Sequence, residues 1–478
     1  MIIKSVFPNF KKINIIFWVV GIAFIIRFFF FIVNVILNWE SQAYLLSFHA
    51  ADTPTYLKPA IELLNTGRFT TDGIPEVFRT PGYSIFLIPG ILLGHPELFT
   101  IFLQFILSCW TIYLVYRISL LVFKVKKAAI FASCLLSIEP LSIILANRLL
   151  TETLFTSLFI AFVYQLILYL KNKSIREIIF AGLFLVASTF VRPITYYLPY
   201  LIFLMLIIYA IKNFNHRKIV LFHAILFLVI SVSPLYLWQL RNKIETGYTG
   251  FCSIQESHLY YWHASSVLSA KYKLHFREVW DYIPAKINNE ISKEDQKNTV
   301  KINNYFSQES KRIIFSNPFI YLSLRINGIL NLLFNSVPWQ FVRFFKLATP
   351  SETNDMFFNY LTEFFHKGFI GGVLFYFNQV PLPIFLIWLL LEILILIYMA
   401  LMFKAILTKQ VINQFYVIVI LCLVTYLTIL AGGPDGASTR FRTPIMPLIC
   451  ILAGYGLFLL IEPRTNKNIE KISLLEQK

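Results

Sequence analysis

The chain has 478 residues, 57% of them hydrophobic and 14% charged, against about 25% charge in a soluble domain. With 48 Phe and 25 Tyr, this balance excludes an ordinary soluble globular protein and points to one built in a bilayer. The net charge of +17 calls for no nucleic-acid partner, because cytoplasmic loops of membrane proteins collect Lys and Arg and some Arg can serve lipid phosphate.

The first apolar run, 13–37, follows Lys4, Lys11 and Lys12. It is longer than the 7–15 residues, roughly, of a signal-peptide core and reads as an anchor with its N-terminus inside. Further runs of about 20 residues fall at 97–122, 128–146, 150–170, 176–191, 195–211, 219–238, 381–404, 411–431 and 443–461. The expected fold class is an all-α polytopic membrane protein of about ten transmembrane helices. The stretch "PGYSIFLIPGILLG", 81–94, is apolar but short and reads as a re-entrant or interfacial segment. With ten spans, the basic runs at 124–127, 171–177, 212–218, 404–409 and 464–471 all fall on the cytoplasmic side, as do both termini. The loop 38–96, the long polar segment 241–380 and the short loop 432–447 then face outward. Three parts follow: an N-terminal transmembrane core (1–240) with the first outer loop (38–96), a mixed external loop domain (241–380), and C-terminal helices with a cytoplasmic tail (381–478). Within the long segment, 317–336 is amphipathic and suited to a membrane surface. The five Cys read as small apolar fillers.

The polar residues gather near the outer boundary. Asp52, in "AADTPTYLKPAIELLNTGRF", is either a helix cap or a carboxylate base. Tyr56 and Lys58 follow it as possible support. Glu152 in "LLTETLF" opens a span, and Glu139 in "SIEPLS" closes the one before, so three carboxylates share one level. Cations accompany them: Arg79 before "TPGY", Arg148 in the turn before Glu152, Arg192 before Pro193, and Arg440 and Arg442 in "STRFRTPIMP". Each can snorkel to an interface, and together they can bind phosphate. His258 and His263 stand five apart, a poor spacing for a helical metal pair, and read as aromatic-loop packing or acceptor contact. The GxG of "AGYGLF" lies inside a span and carries no nucleotide-binding context.

In order and sidedness these stretches resemble the GT-C superfamily of polytopic glycosyltransferases, in its protein O-mannosyltransferase and aminoarabinose-transferase branch. The matching stretches are Asp52 with "TPTYLKPAIELLNTGRF", "FRTPGYSIFL", "LLTETLF", "AGLFLVASTFVRPITYY", "LRNKIETG" and "GGPDG" through "RFRTPIMPLICILAGYGL". Residues 241–380 fall outside the resemblance. It implies a hexosyl- or pentosyltransferase of the cell (plasma or inner) membrane, moving sugar from a polyprenyl-phosphate donor to a protein, lipid or glycan hydroxyl on the outer face. Asp52 stands at the position of the family's first-loop acid and Glu152 at a second acid, where many members carry Asp. The first loop's neighbouring acid falls near Glu76. Asp52 is then the base, Glu152 orients the acceptor or holds a divalent ion such as Mg²⁺ or Mn²⁺, and Arg440, Arg442, Arg79 and Arg192 hold the donor phosphate. Two alternatives are a transporter, for which Arg27 and Glu392 are the midspan candidates, and a lipid-linked glycan ligase or polymerase.

Overall fold

The computed structural model describes residues 15–39, 44–212, 216–408, 411, 414–434 and 439–462. Lys4, Lys11, Lys12, Lys409, residues 213–215 and the basic tail lie outside them. Among the described residues the chain is almost wholly helical. Its strands are the antiparallel pair Thr70–Thr71 and Ile74–Pro75, with Thr70 opposite Pro75.

Among the described residues, six helices are long and apolar enough to cross a membrane: Ile15–Asn38, Pro96–Phe123, Glu152–Asn172, Pro193–Ile211, Arg217–Thr246 and Leu382–Ile406. Two bent pairs could bring that number to eight. Each of the ten expected spans appears as helix, some of them broken or shortened. The span 128–146 is broken into Lys126–Ser137 and Pro140–Ala146, bent by 56°. Its break falls at Glu139, whose backbone is extended, as the residue before a proline prefers. The segment expected at 176–191 appears as Ile175–Val191, and those expected at 411–431 and 443–461 appear as the shorter helices Phe415–Ala431 and Met446–Ile461. The stretch 81–94 forms Pro81–Leu92. At about 1.5 Å per residue its 12 residues are too short to cross the bilayer.

Glu152–Asn172 is the central helix, buried on nearly every side. The peripheral helices turn Phe17, Ile25, Phe222, Ile225 and Leu390 outward. That apolar exposure suits lipid and not water. Between helices in lipid, close packing replaces hydrophobic gain. The two glycines of "AGYGLF" serve this purpose. A side chain on Gly454 would strike the backbone of Ala128 and Ala132, and one on Gly456 the carbonyl of Leu401. The five cysteines are unpaired. Midspan Arg27 is fully buried, donating to Ser108 Oγ at 2.7 Å and to the carbonyls of Ala23 and Ser137.

The helix Arg217–Thr246 runs through the boundary expected at 240. Beyond it, the long polar segment is a run of helices from Ile254–His258 to Pro350–Gln379, joined by short turns. It has a core of its own, in which Tyr260, Val267, Phe276, Tyr360 and Phe364 meet Trp388 of the helix Leu382–Ile406. The amphipathic stretch 317–336 forms Pro318–Phe334. One face packs against Pro350–Gln379 and Phe415–Ala431, while Phe319, Leu322 and Ile326 stay exposed.

Candidate active site

Five chain segments far apart in sequence meet at one cavity of about 350 Å³. The first loop contributes Asp52, just ahead of the helix Pro54–Thr66. Asp52 does not cap that helix. Its N-cap residue is Thr53, which makes no side-chain cap, and Thr53 Oγ1 instead donates to the Leu149 carbonyl at 2.9 Å. That bond ties the first loop to the turn before Glu152. The Asp52 carboxylate is left to two arginines. Oδ1 accepts from Arg79 Nη2 at 2.9 Å and Oδ2 from Arg440 Nη2 at 2.8 Å. Burial alone would raise this carboxyl. The guanidiniums of Arg440 and Arg79 outweigh it and hold it well below the usual carboxylate range. The same contacts raise Arg440 against the effect of its own burial.

Arg79 is fixed on every arm. Nε donates to Thr55 Oγ1 and Nη1 to Tyr56 Oη, each at 3.0 Å, and the guanidinium lies 4.7 Å from the Tyr56 ring centre. The loop it stands on is held by Glu76. One carboxylate oxygen accepts from the backbone N–H of Phe78 at 2.6 Å and of Arg79 at 3.0 Å, and the other from Thr71 at 2.6 Å. Arg241 closes the loop from below, donating to the Glu76 and Phe69 carbonyls at 2.7 Å each.

The far end of the cavity belongs to Glu152, whose side chain is only 2% exposed. Arg192 Nη1 lies 3.0 Å from Glu152 Oε1, an ion-pair contact without an aligned hydrogen bond. Arg440 Nε stands 3.8 Å from the same oxygen, so Arg440 spans both carboxylates. The Phe441 ring faces both Arg192 and Arg440, with each guanidinium carbon 5.2 Å from its centre.

Tyr56 and His258 also line this cavity. The other expected site residues lie elsewhere. Lys58 is exposed and pairs with Asp72 at 3.1 Å. Glu139 caps the helix Pro140–Ala146 through Leu141 and Ser142 N–H, so the structure brings together two of the three carboxylates. Arg148 donates to the Ser47 carbonyl and packs near Phe344. Arg442 is buried and donates to the carbonyls of Leu332 at 3.0 Å and Asn335 at 2.8 Å, away from the cavity. One residue, Phe441, separates it from Arg440 in the sequence, and a 3-10 turn over Thr439–Arg442 sends the two in different directions. His263 Nδ1 stands 2.9 Å from Tyr321 Oη, also away from the cavity. Glu392 accepts from the Ser336 backbone N–H at 2.7 Å.

Sequence reasoning missed the aromatic and apolar walls: Phe78, Phe441, Tyr197, Cys252 and Ile254, with Gln255 beside them. Phe441 carried a signal, an aromatic ring between two arginines in "RFR". Cys252 is buried and its thiol is pushed up to about 12, so it stays protonated near neutral pH. Among the described residues, no group of three His, Cys, Asp or Glu could hold a metal ion. Asp52 and Glu152 alone do not complete the ligand set of a divalent cation, and each already faces guanidinium. The described residues of this cavity therefore do not complete a metal-ligand set.

Residues 81–238 match the family model of dolichyl-phosphate-mannose-protein mannosyltransferases. This match, a third of the chain, bears out the resemblance to GT-C membrane glycosyltransferases read from the sequence. It holds Glu152 and Arg192 but neither Asp52 nor Arg440. Among solved structures, the chain is similar to the archaeal oligosaccharyltransferase AglB from Archaeoglobus fulgidus, in complex with an inhibitory peptide and a dolichol-phosphate. The TM-score is 0.49 at 14% identity, over 96% of this chain and 52% of that one. The chain thus spans about half the length of AglB. No curated protein matches it.

Proposed function

We propose that the protein transfers a sugar from a polyprenyl-phosphate carrier to a hydroxyl acceptor, at the outer face of the membrane. The observation that carries this reading is the single cavity in which Arg79, Arg192 and Arg440 converge on Asp52 and Glu152. Three guanidiniums against two carboxylates leave one positive charge. A phosphodiester-linked sugar carries one negative charge and balances it.

The chemistry follows from the competition for Arg440 and Arg79. Without donor, both lie on Asp52 and make it a weak base. A bound donor phosphate draws guanidinium contacts to itself, which returns proton affinity to Asp52 next to the anomeric carbon. Asp52 then accepts the proton of the acceptor hydroxyl as that oxygen attacks. The bond from the anomeric carbon to the phosphate oxygen breaks, and polyprenyl phosphate leaves with its charge on the arginines. General-base assistance of this kind is worth about 10²–10⁴-fold, and charge stabilisation in a dry site adds several kcal/mol, roughly. Glu152 holds Arg192 and Arg440 in register and orients the acceptor. No step is routed through a metal ion.

The outer-face placement has support in the helix ends. Glu152 opens the helix Glu152–Asn172, whose other end carries Lys171 and Lys173. Arg192 follows the last residue of Ile175–Val191, whose start lies beside the same lysines. The cavity therefore lies at the end of these helices opposite their basic turn, and basic turns are cytoplasmic.

The test is release of sugar from a panel of polyprenyl-phosphate donors by purified protein in detergent, wild type beside Asp52→Asn. The expected result is turnover of at least one donor by wild type, and binding without turnover by the variant. A wild type that neither binds nor consumes any donor overturns the proposal.

A further inference from the structure

A second cavity, of about 310 Å³, lies back to back with the first. The two share Phe78, and the same two segments wall both. Along the first loop, Glu76 and Val77 face the second cavity, whereas Arg79 and Thr80 face the first. Along 252–258, Ser253 and Ser257 face the second, whereas Ile254, Gln255 and His258 face the first. Ser253, the N-cap residue of the short helix Ile254–His258, and Ser257 within it are one turn apart, so the two sides of this turn serve two cavities. The segments are stapled together by a hydrogen bond from Ser253 N–H to the Val77 carbonyl at 2.8 Å. The outer wall is formed by Gln296, Thr299, Ile302 and Asn303 of the long polar segment.

The lining selects a chemistry. Hydroxyl and amide side chains, Ser253, Ser257, Gln296, Thr299 and Asn303, share the lining with the apolar Ile74, Pro75, Val77 and Ile302. Phe78 and Phe306 add apolar ring surface, and Phe306 is fixed by stacking on Tyr260 at 5.2 Å. The charged groups are Glu76, already occupied by Thr71 and two backbone N–H groups, and Lys297. Among the described residues no guanidinium faces this space, so an anionic headgroup would meet the single ammonium of Lys297 in place of the three arginines next door. An extended peptide would seek a free strand edge. The local hairpin offers only two residues per strand, too short a run to seat an extended peptide. Neutral sugar rings, with hydroxyl edges and apolar faces, match what remains.

We propose that this second cavity is the acceptor subsite and that it takes a neutral, hydroxyl-rich glycan. The reacting hydroxyl passes over Phe78 toward Asp52, and the body of the chain lies between the first loop and Gln296–Asn303. This inference rests on the transferase reading of the first cavity, and the experiment separates the two.

Binding of a series of fluorescent neutral linear oligosaccharides is measured on purified full-length protein in nanodiscs, with a Ser/Thr-rich peptide series beside it. Binding of the polyprenyl-phosphate donor is measured in the same samples. Ser257→Phe fills the cavity from the inner wall and Thr299→Phe from the outer. Both variants are expected to weaken oligosaccharide binding about tenfold or more, equivalent to about 1.4 kcal/mol, and to keep donor affinity. Two variants on opposite walls guard against a local folding defect in either one. In protein that binds donor, the absence of saturable oligosaccharide binding overturns the proposal, as does binding that neither variant weakens. Saturable binding of peptide in place of glycan, lost in both variants, overturns the glycan assignment. Failure of the wild type to bind donor strikes the transferase reading instead.

Discussion

The two ends of the first cavity hold the same pair of residue types, a carboxylate and its arginines, in different settings. Asp52 stands on a loop with its side chain 26% exposed, and each of its oxygens meets a different guanidinium. Glu152 begins the central helix, is 2% exposed, and meets Arg192 at one oxygen. A carboxylate at a cavity wall, bound only by groups that a phosphate can take away, is placed to react. A carboxylate sealed into the start of a packed helix is placed to hold other groups still. Arg440 touches both and carries the coupling between the ends.

This division of labour can be broken at several points. Asp52→Asn is expected to lower turnover by about 10²–10⁴-fold in a protein that binds donor as well as wild type or better, since one competitor for the arginines is gone. Retained turnover would move the base to the Glu152 end. Arg440→Ala is expected to reduce kcat by about 10²–10³-fold and to weaken donor binding as well, read by steady-state kinetics on one donor. A loss confined to either constant would show that Arg440 serves one end only. Glu152→Ala leaves Arg192 without its partner in a mostly buried place, and breaking a buried pair costs about 3–5 kcal/mol. A clear drop in thermal midpoint is expected, with Glu152→Gln milder. A Glu152→Ala protein of unchanged midpoint but abolished turnover would contradict a holding role. Arg442→Ala leaves two buried carbonyls without their donor, at about 1–3 kcal/mol each. Its thermal midpoint should fall while the donor KM stays put. A raised KM would bring Arg442 back among the phosphate ligands.

The smallest effect is in the pH profile, and its sign can be worked out. In the free protein Asp52 is held below its ordinary value, so it is ionised at neutral pH. Its contribution to stability is present above the ordinary carboxylate pKa, about 3.9, and is lost as pH falls through the lowered native value. The acid limb of kcat/KM, which reports free protein, is therefore expected below about pH 4. If the donor phosphate draws the guanidiniums away, the Asp52 carboxyl rises in the complex, and the acid limb of kcat lies at higher pH than that of kcat/KM. Coincident limbs would mean that the arginines stay on Asp52 throughout.

Much of the molecule was legible without coordinates. The membrane class follows from composition. Helix positions follow from apolar runs, because a bilayer core demands about 20 apolar residues for each crossing and punishes exposed backbone. Even the break at Glu139–Pro140 has a local cause, a proline in the middle of an apolar run. Asp52, Arg79, Glu152, Arg192 and Arg440 could be singled out because a charge at the edge of an apolar run stands out by type and position. Their partners could not. Arg440 and Arg442 are indistinguishable in "STRFRTP", yet one reaches Asp52, 388 residues away, and the other satisfies carbonyls at 332 and 335. Glu139 and Glu152 both lie at helix starts, yet one spends its oxygens on its own backbone and the other faces the cavity. Local propensity and hydropathy act over a few residues and are written in the sequence. Ion pairs, back-to-back cavities and the wall that Phe78 shares between them depend on which segments the packing brings within about 3 Å of each other, and only the tertiary structure decides that.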